Sequence, residues 1–330
     1  MSADGLPSPL SADELAADLA ALSSGAALVE HAGDLLELTG SDRLRLLQGL
    51  VTADVSALAP GSAISGFFTT GQGRILADFR LLAGAESCWL VLPAGTGETM
   101  RTHLEKYRVA SRVEISQVAN RQLFELRGPR ASEAAMAASK LLSAEDDQGT
   151  MWAEGGRFFL LPKAFTPGEP PPLRSRPEGS SEVRRVSAAA VEIDRVEKGE
   201  LLFGVDFSGE NFPQETGREA DVSYSKGCYL GQEVVARIHY RGGVQRQPRG
   251  LRFTGEAPPA PGTELLLEGR SVGRATSVAQ SPRFGAIGLA VVHQRGAARG
   301  TRLGVAGSGD EEGAVVVELP FRALENDEAG

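Results

Sequence analysis

The sequence predicts an α+β body followed by a small antiparallel β-barrel. Up to about residue 240, strand-length apolar runs alternate with helical ones, the pattern of a mixed body. Beyond Gly250 the helical runs stop. Short apolar stretches recur between Gly, Pro and Ser, which is the spacing of a barrel. The 330 residues, 42% of them hydrophobic, suffice for two or three domains with a sizeable core.

The elements follow in order. Ser11-Ala12-Asp13-Glu14 is a capping box before a helix ending near Gly25. Ala27–Leu38 reads as extended, with Gly33-Asp34 as a turn. Ser41 or Asp42 can cap a helix carrying Leu44, Leu46, Leu47 and Leu50. Ile64–Thr70 and Arg74–Leu82 read as strands around Gly71-Gln72-Gly73, a hairpin loop. Cys88–Leu92 is a third strand and Gly97–Val109 a helix. Leu123–Leu126 is a strand stopped by Gly128-Pro129, and an alanine-rich helix follows at about 131–143. Phe158–Leu161 is another strand. Pro162–Pro177 then holds six prolines and reads as an exposed loop of polyproline character. Ser187–Gly199 resumes as a helix. The barrel runs are Thr263–Leu267, Val272–Val278, Ala286–Val292 and Ala314–Leu319, with the boundary near Gln245–Arg252. The expected division is a helical segment at 1–27, a body at 28–245 carrying a proline-rich loop at 162–187, and a barrel at 246–330.

Composition narrows the function. A net charge of −9 and a pI near 5.2 argue against a general nucleic-acid binder. Charge is uneven, however. Lys226, Arg237, Arg241, Arg246, Arg249 and Arg252 face a single acid, Glu233, in the same stretch, a net +5 island. It reads either as an anion site for a polyglutamate tail, a phosphate or an RNA backbone, or as a solvated surface. Two cysteines, Cys88 and Cys228, exclude a disulfide scaffold and cannot supply the four thiolates of a usual iron–sulfur site. His31, His103, His239 and His293 are scattered, so no metal-ligand spacing is present and no resident metal is expected. No stretch reads as a signal peptide or a membrane span, and a soluble cytoplasmic protein is expected.

The chemistry concentrates in one octet, Lys226-Gly227-Cys228-Tyr229-Leu230-Gly231-Gln232-Glu233. It places a cysteine beside a lysine, just before the helical run Glu233–His239. Unpaired N–H groups at a helix start and a neighbouring ammonium both favour thiolate. Cys88 precedes Trp89 in an apolar run and reads as core.

The octet resembles the signature of the YgfZ-type folate-binding family, within the superfamily of the glycine-cleavage T-protein (aminomethyltransferase). Collinear segments extend the resemblance from about residue 28 onward, less the proline-rich stretch. They are Leu46–Val55, Gly73–Arg80, Glu105-Lys106-Tyr107, Arg195–Gly199, and the tail from Val272-Gly273 through Leu319-Pro320-Phe321. The resemblance implies two interlocked α+β domains around a central cavity plus the C-terminal barrel. It implies tetrahydrofolate or a derivative as cofactor. Glu197 would be the pterin-binding carboxylate and Tyr107 a stacking ring, with Arg195, Arg237, Arg241 and Gln232 as further ligand-binding residues. T-proteins carry two adjacent acids where this chain has Ala77-Asp78, and they lack the octet cysteine. Asp78 is thus a catalytic candidate without its neighbour. These departures favour an accessory protein for assembly or repair of iron–sulfur enzymes, including those that modify tRNA. Cys228 would be its chemical residue, acting as transient iron ligand, redox thiol or one-carbon acceptor, and Lys226 would stabilise its thiolate. The implied partners are a reduced folate and iron–sulfur client enzymes or assembly factors, with no sequence-specific nucleic acid and no membrane. The alternatives are a folate-dependent aminomethyltransferase and a non-catalytic folate sensor or docking module.

Overall fold

The structure, a computed structural model, describes residues 10–142, 150–152, 158–162, 183–307 and 313–322. In chain order it opens with α1 (Ala12–Ser24), β1 (Ala26–His31), β2 (Asp34–Thr39), α2 (Arg43–Gln48), β3 (Ala63–Thr69), β4 (Ile75–Ala83), β5 (Ser87–Leu92), α3 (Gly97–Tyr107) and β6 (Glu114–Gln117). It continues with β7 (Arg121–Arg127), α4 (Ala131–Leu142), β8 (Thr150–Trp152), β9 (Phe158–Pro162), β10 (Val183–Arg185), α5 (Ala188–Lys198) and α6 (Gln232–Arg241). The last strands are β11 (Arg246–Phe253), β12 (Glu264–Leu267), β13 (Arg270–Ser281), β14 (Gly285–His293), β15 (Arg302–Val305) and β16 (Gly313–Val317). Helices mixed with strands and a closed barrel are the predicted class.

The chain forms two compact units, each discontinuous in sequence. The first joins the residues up to His31 with Asn120–Asp194. Its sheet runs β10-β1-β7-β9-β8. The capping box is present as predicted, with Ser11 and Glu14 exchanging hydrogen bonds. Leu15, Leu19 and Leu22 of α1 then pack on Ala27 and Val29 of β1.

The second unit joins Ala32–Ala119 with the residues from Arg195 onward. One of its sheets runs β3-β4-β5-β2-β6 over a core that includes Leu36, Leu38, Leu47, Phe68, Leu81, Cys88 and Leu90. The other closes into the barrel β11-β14-β13-β12-β15-β16, filled by residues such as Leu251, Leu265, Ala290, Val292 and Val316.

Several boundaries differ from expectation. The extended run 27–38 is two strands in different sheets, not a hairpin: β1 pairs with β7 and β10, β2 with β5 and β6. Gly33 lies at the crossing, where any Cβ would collide with the Leu92 carbonyl oxygen. Helix α2 ends at Gln48, and Leu50 is buried in the turn beyond it. Asp42 is its N-cap but gives no side-chain cap; its carboxylate accepts from Arg112 N at 2.8 Å instead. The polar segment expected as a boundary is largely barrel strand β11. Its pairing with β14 and β16 overrides a sequence that lacks alternating apolar residues. Strands β6, β8, β10 and β15 have three or four residues each and carry too short a pattern to be read. The proline-rich loop lies outside the described residues apart from Pro162. Among the described residues no helix is long and apolar enough to cross a membrane.

Candidate functional site

The β3–β4 hairpin is the platform on which the octet rests. Thr69 Oγ1 donates to the Leu230 carbonyl at 2.5 Å, and Leu230 N donates to Gly49 O at 3.0 Å. Gly231, the N-cap of α6, has φ +86°, and a Cβ there would collide with the Thr70 carbonyl oxygen. Only glycine lets the loop approach the hairpin so closely. Gly73 at the hairpin tip has φ +75° and faces Val234 of α6. Val235 then buries against Phe67, Ile75 and Phe207. At the other end of the segment, Ser223 N donates to Thr52 O at 2.9 Å and Thr52 Oγ1 donates to Asp221 O at 2.7 Å.

Between these two fastenings Gly227 and Cys228 are exposed, and Cys228 is a free thiol. Cys88 is its opposite: buried in β5, with its pKa pushed up to about 12 by desolvation. The expected contrast between the two cysteines is therefore present in their surroundings.

Lys226 does not occupy the place foreseen for it. Its side chain is buried, and Nζ donates to the carbonyls of Val51 at 2.8 Å and Ala53 at 2.6 Å while lying 5.2 Å from the centre of the Tyr229 ring. A buried ammonium must find acceptors, and these backbone oxygens supply them. Burial lowers its pKa to about 8, the charge of Asp54 opposing the shift. The ammonium expected beside the thiolate is thus engaged with backbone. Helix α6 begins at Gln232, so residues 229–231 separate the thiol from the first turn, where the dipole acts. Gln232 Nε2 lies 3.4 Å from the Lys226 carbonyl oxygen.

Asp78 lies on β4 opposite Phe67 of β3. Arg218 covers both: Nη1 donates to Asp78 Oδ2 at 2.5 Å, and its guanidinium carbon sits 4.7 Å from the Phe67 ring centre. Nε donates to Asp221 at 2.6 Å. Burial opposes the charge of Arg218, yet Asp78 and Asp221 hold its pKa above the ordinary value. Nothing in the local sequence marked Arg218 as the partner of Asp78.

Glu197 is buried, not a helix-surface charge. Oε1 accepts from Ser281 Oγ at 2.6 Å and Oε2 from Arg283 at 3.1 Å. A carboxylate has about four acceptor sites, and these two contacts use one on each oxygen.

Arg195, expected as a ligand residue, lies in a buried network instead. It donates to Asp206 at 2.9 Å, Ser277 Oγ at 2.7 Å and the Glu200 carbonyl at 2.6 Å. Asp206 also accepts from Thr276 and Ser277 on barrel strand β13. A planar guanidinium this fully engaged ties the end of α5 to the barrel.

Tyr107 ends α3, is 36% exposed, stands 5.1 Å from the His103 ring and has Lys106 Nζ 5.4 Å from its ring centre. Arg237 and Arg241 are exposed one helical turn apart on α6. The wider basic island does not hold together as a surface. Lys226 is buried, Arg249 donates to the Ala297 carbonyl, and Arg252 donates to the Arg322 carbonyl. Backbone acceptors claim half of the six cations, which sequence spacing could not show. Beside Arg237 and Arg241, His239 stacks on Tyr224 at 3.7 Å. Among the described residues no cluster of three or more His, Cys, Asp or Glu could hold a metal ion.

An α+β body with a cysteine loop on its hairpin, closed by a six-stranded barrel, defines the class. The GCVT N-terminal domain model matches residues 9–157, and the Glycine cleavage T-protein C-terminal barrel domain model matches residues 246–322. The chain belongs to the glycine-cleavage T-protein superfamily. It is similar to the tRNA-modifying protein YgfZ of Yersinia enterocolitica, 28% identical over 241 residues, covering 70% of this chain and 72% of that protein. With the tRNA-modifying protein YgfZ of Cronobacter sakazakii the identity is 27% over 247 residues, 71% and 73% of the two chains. The crystal structure of glycine cleavage system aminomethyltransferase T from Bartonella henselae shares the fold, with TM-score 0.79 at 22% identity over 96% of this chain and 91% of that one.

Proposed function

We propose that this protein binds a reduced folate and serves as an accessory factor in the assembly or repair of iron–sulfur enzymes, with Cys228 as its chemical residue. The observation that carries the reading is the presentation of a free, exposed thiol on a loop fastened to the hairpin at Leu230 and to Thr52 at Ser223. Its likeness to proteins named tRNA-modifying protein YgfZ supports tRNA-modifying enzymes as the clients.

The residues fit a folate. Glu197 has lone pairs beyond those its two partners use for the amino and ring N–H groups of a pterin, Tyr107 is a partly exposed ring that a pterin would share with Lys106 and His103, and Arg237 and Arg241 offer exposed cations for a glutamate tail. Folate would supply one-carbon chemistry; the chain's own part is to orient the pterin edge and present a nucleophilic sulfur. The iron–sulfur cluster is cargo in this scheme. Ala77 stands where T-proteins carry a second acid beside Asp78, which disfavours aminomethyl transfer of the glycine-cleavage type.

Calorimetric titration with tetrahydrofolate tests the binding. A saturable isotherm is expected, weakened by Glu197→Gln by roughly 1.5–3 kcal/mol, the worth of a charge-assisted hydrogen bond. No saturation at millimolar ligand rejects the folate reading. In cells lacking the protein, Cys228→Ser is expected not to restore iron–sulfur enzyme activity. Full restoration would leave a folate sensor or docking module as the better description.

A further inference from the structure

We propose that Lys226 is the strut that positions Cys228, holding the cysteine loop through backbone carbonyls and not acting as the charge partner of the thiolate. The proposal rests on the reading of Cys228 as the functional thiol for its consequence, but its geometry stands apart from folate and iron.

The loop has two ends and a middle. Its ends are fixed by ordinary means: Ser223 N on Thr52 O, and Leu230 held between Gly49 and Thr69. The middle is Lys226-Gly227-Cys228-Tyr229, in which Gly227 and Cys228 are exposed. A Cβ added at Gly227 would meet nothing within 4 Å, so no packing restrains the backbone on that side. Lys226 and Tyr229 are the buried members, at 7% exposure each. Their side chains meet as an ammonium against a ring, 5.2 Å to the centroid. The ammonium then reaches Val51 and Ala53, in the turn between α2 and β3.

A lysine used in this way ties together segments far apart in sequence. The donor and its acceptors are separated by 175 and 173 residues. Three tetrahedral donors suit convergent carbonyls, and a long stem reaches them while its root stays beside the exposed residues. A methionine keeps an unbranched stem of similar volume and leaves both carbonyls without that donor. An arginine keeps the charge and the donors in a planar fork. The two substitutions therefore separate hydrogen bonding from volume.

The test uses the full chain without folate. Lys226→Met is expected to speed amide exchange at residues 227–229 by at least about tenfold, the signature of local opening. The rate of Cys228 alkylation by iodoacetamide is expected to change at least about threefold, while the midpoint of its pH–rate profile stays within about 0.3 unit of the parent. Lys226→Arg is expected to restore most of the exchange protection. Unchanged exchange, or a midpoint displaced upward by about one unit or more, overturns the proposal; the latter outcome marks an electrostatic partner of the thiolate. If Lys226→Met does not fold, the parent protein decides: in acetic anhydride labelling read by mass spectrometry, Lys226 is expected to react far more slowly than the exposed Lys106. Equal labelling rates overturn the strut. A Cys228→Ser variant that still supports iron–sulfur enzymes would remove the functional reading and leave these measurements intact.

Discussion

Asp78 and Arg218, 140 residues apart, form a 2.5 Å charge-assisted hydrogen bond across the face of Phe67. In an aminomethyltransferase a carboxylate must be available to the reacting nitrogen. Here the arrangement fixes that carboxylate as one half of an ion pair.

The purified protein is accordingly expected not to replace T-protein in a reconstituted glycine-cleavage assay. Turnover comparable with authentic T-protein would refute this. Asp78→Asn is expected to cost about 1.5–3 kcal/mol of stability, the usual worth of a hydrogen bond to a charged group, read from urea denaturation.

Cys88 and Cys228 are expected to separate in reactivity. Cys228 should alkylate readily in the native state, and Cys88 only on unfolding. The sign of the pH effect follows from the raised pKa of Cys88. Its folded value of about 12 stands against 9.0 for the ordinary thiol, so the stabilisation is complete below about pH 9 and is lost as pH rises from there through 12. The stability deficit of Cys88→Ala relative to the parent should therefore shrink above pH 9, by up to roughly 1.4 kcal/mol per pH unit. A deficit constant from pH 8 to 11 contradicts the burial argument.

Gly231→Ala should be among the most damaging changes in the octet. The residue combines φ +86° with a Thr70 carbonyl oxygen where the methyl group must go. A loss of roughly 1–3 kcal/mol is expected from backbone strain alone, and faster alkylation of Cys228 should accompany it as the loop lifts from the hairpin. A stability equal to the parent's would show that the close approach is not required.

Arg195→Met should destabilise the protein through the barrel. It leaves the charge of Asp206, which is 5% exposed, without its cation, although Thr276, Ser277 and Leu202 N still donate to it. Breaking one side of such a buried pair costs about 3–5 kcal/mol. Tetrahydrofolate affinity, measured below the new unfolding transition, should be unaffected. A selective loss of affinity at unchanged stability would return Arg195 to the ligand site.

How much was legible depended on whether the signal was local. The Ser11–Glu14 capping box, the hairpin around Gly71-Gln72-Gly73 and the burial of Cys88 each follow from neighbours in sequence, and the structure contains them. The cysteine loop was legible as a motif, but the direction of Lys226 was not. Its acceptors are carbonyls of Val51 and Ala53, and any residue can supply a carbonyl. Arg218 escaped for the same reason: its partner lies on a distant strand, and only folding shows that the two meet. Glu197 was singled out by its place in a family pattern, whereas Ser281 and Arg283, which hydrogen-bond it, belong to a barrel strand and the turn after it with no motif of their own.

The discontinuity of the first unit sets an order of events during synthesis. Strand β1, with four buried positions from Ala26 to Val29, leaves the ribosome before its partner β7 is made. His31 and Glu125, which meet across these strands, are 94 residues apart. At about 5–20 residues per second the apolar strand waits roughly 5–20 s for its neighbour. Throughout that interval its unpaired edges are open to other nascent chains or to a chaperone, while α1, already emerged and packed against Ala27 and Val29 in the finished protein, can cover only the face those two side chains present.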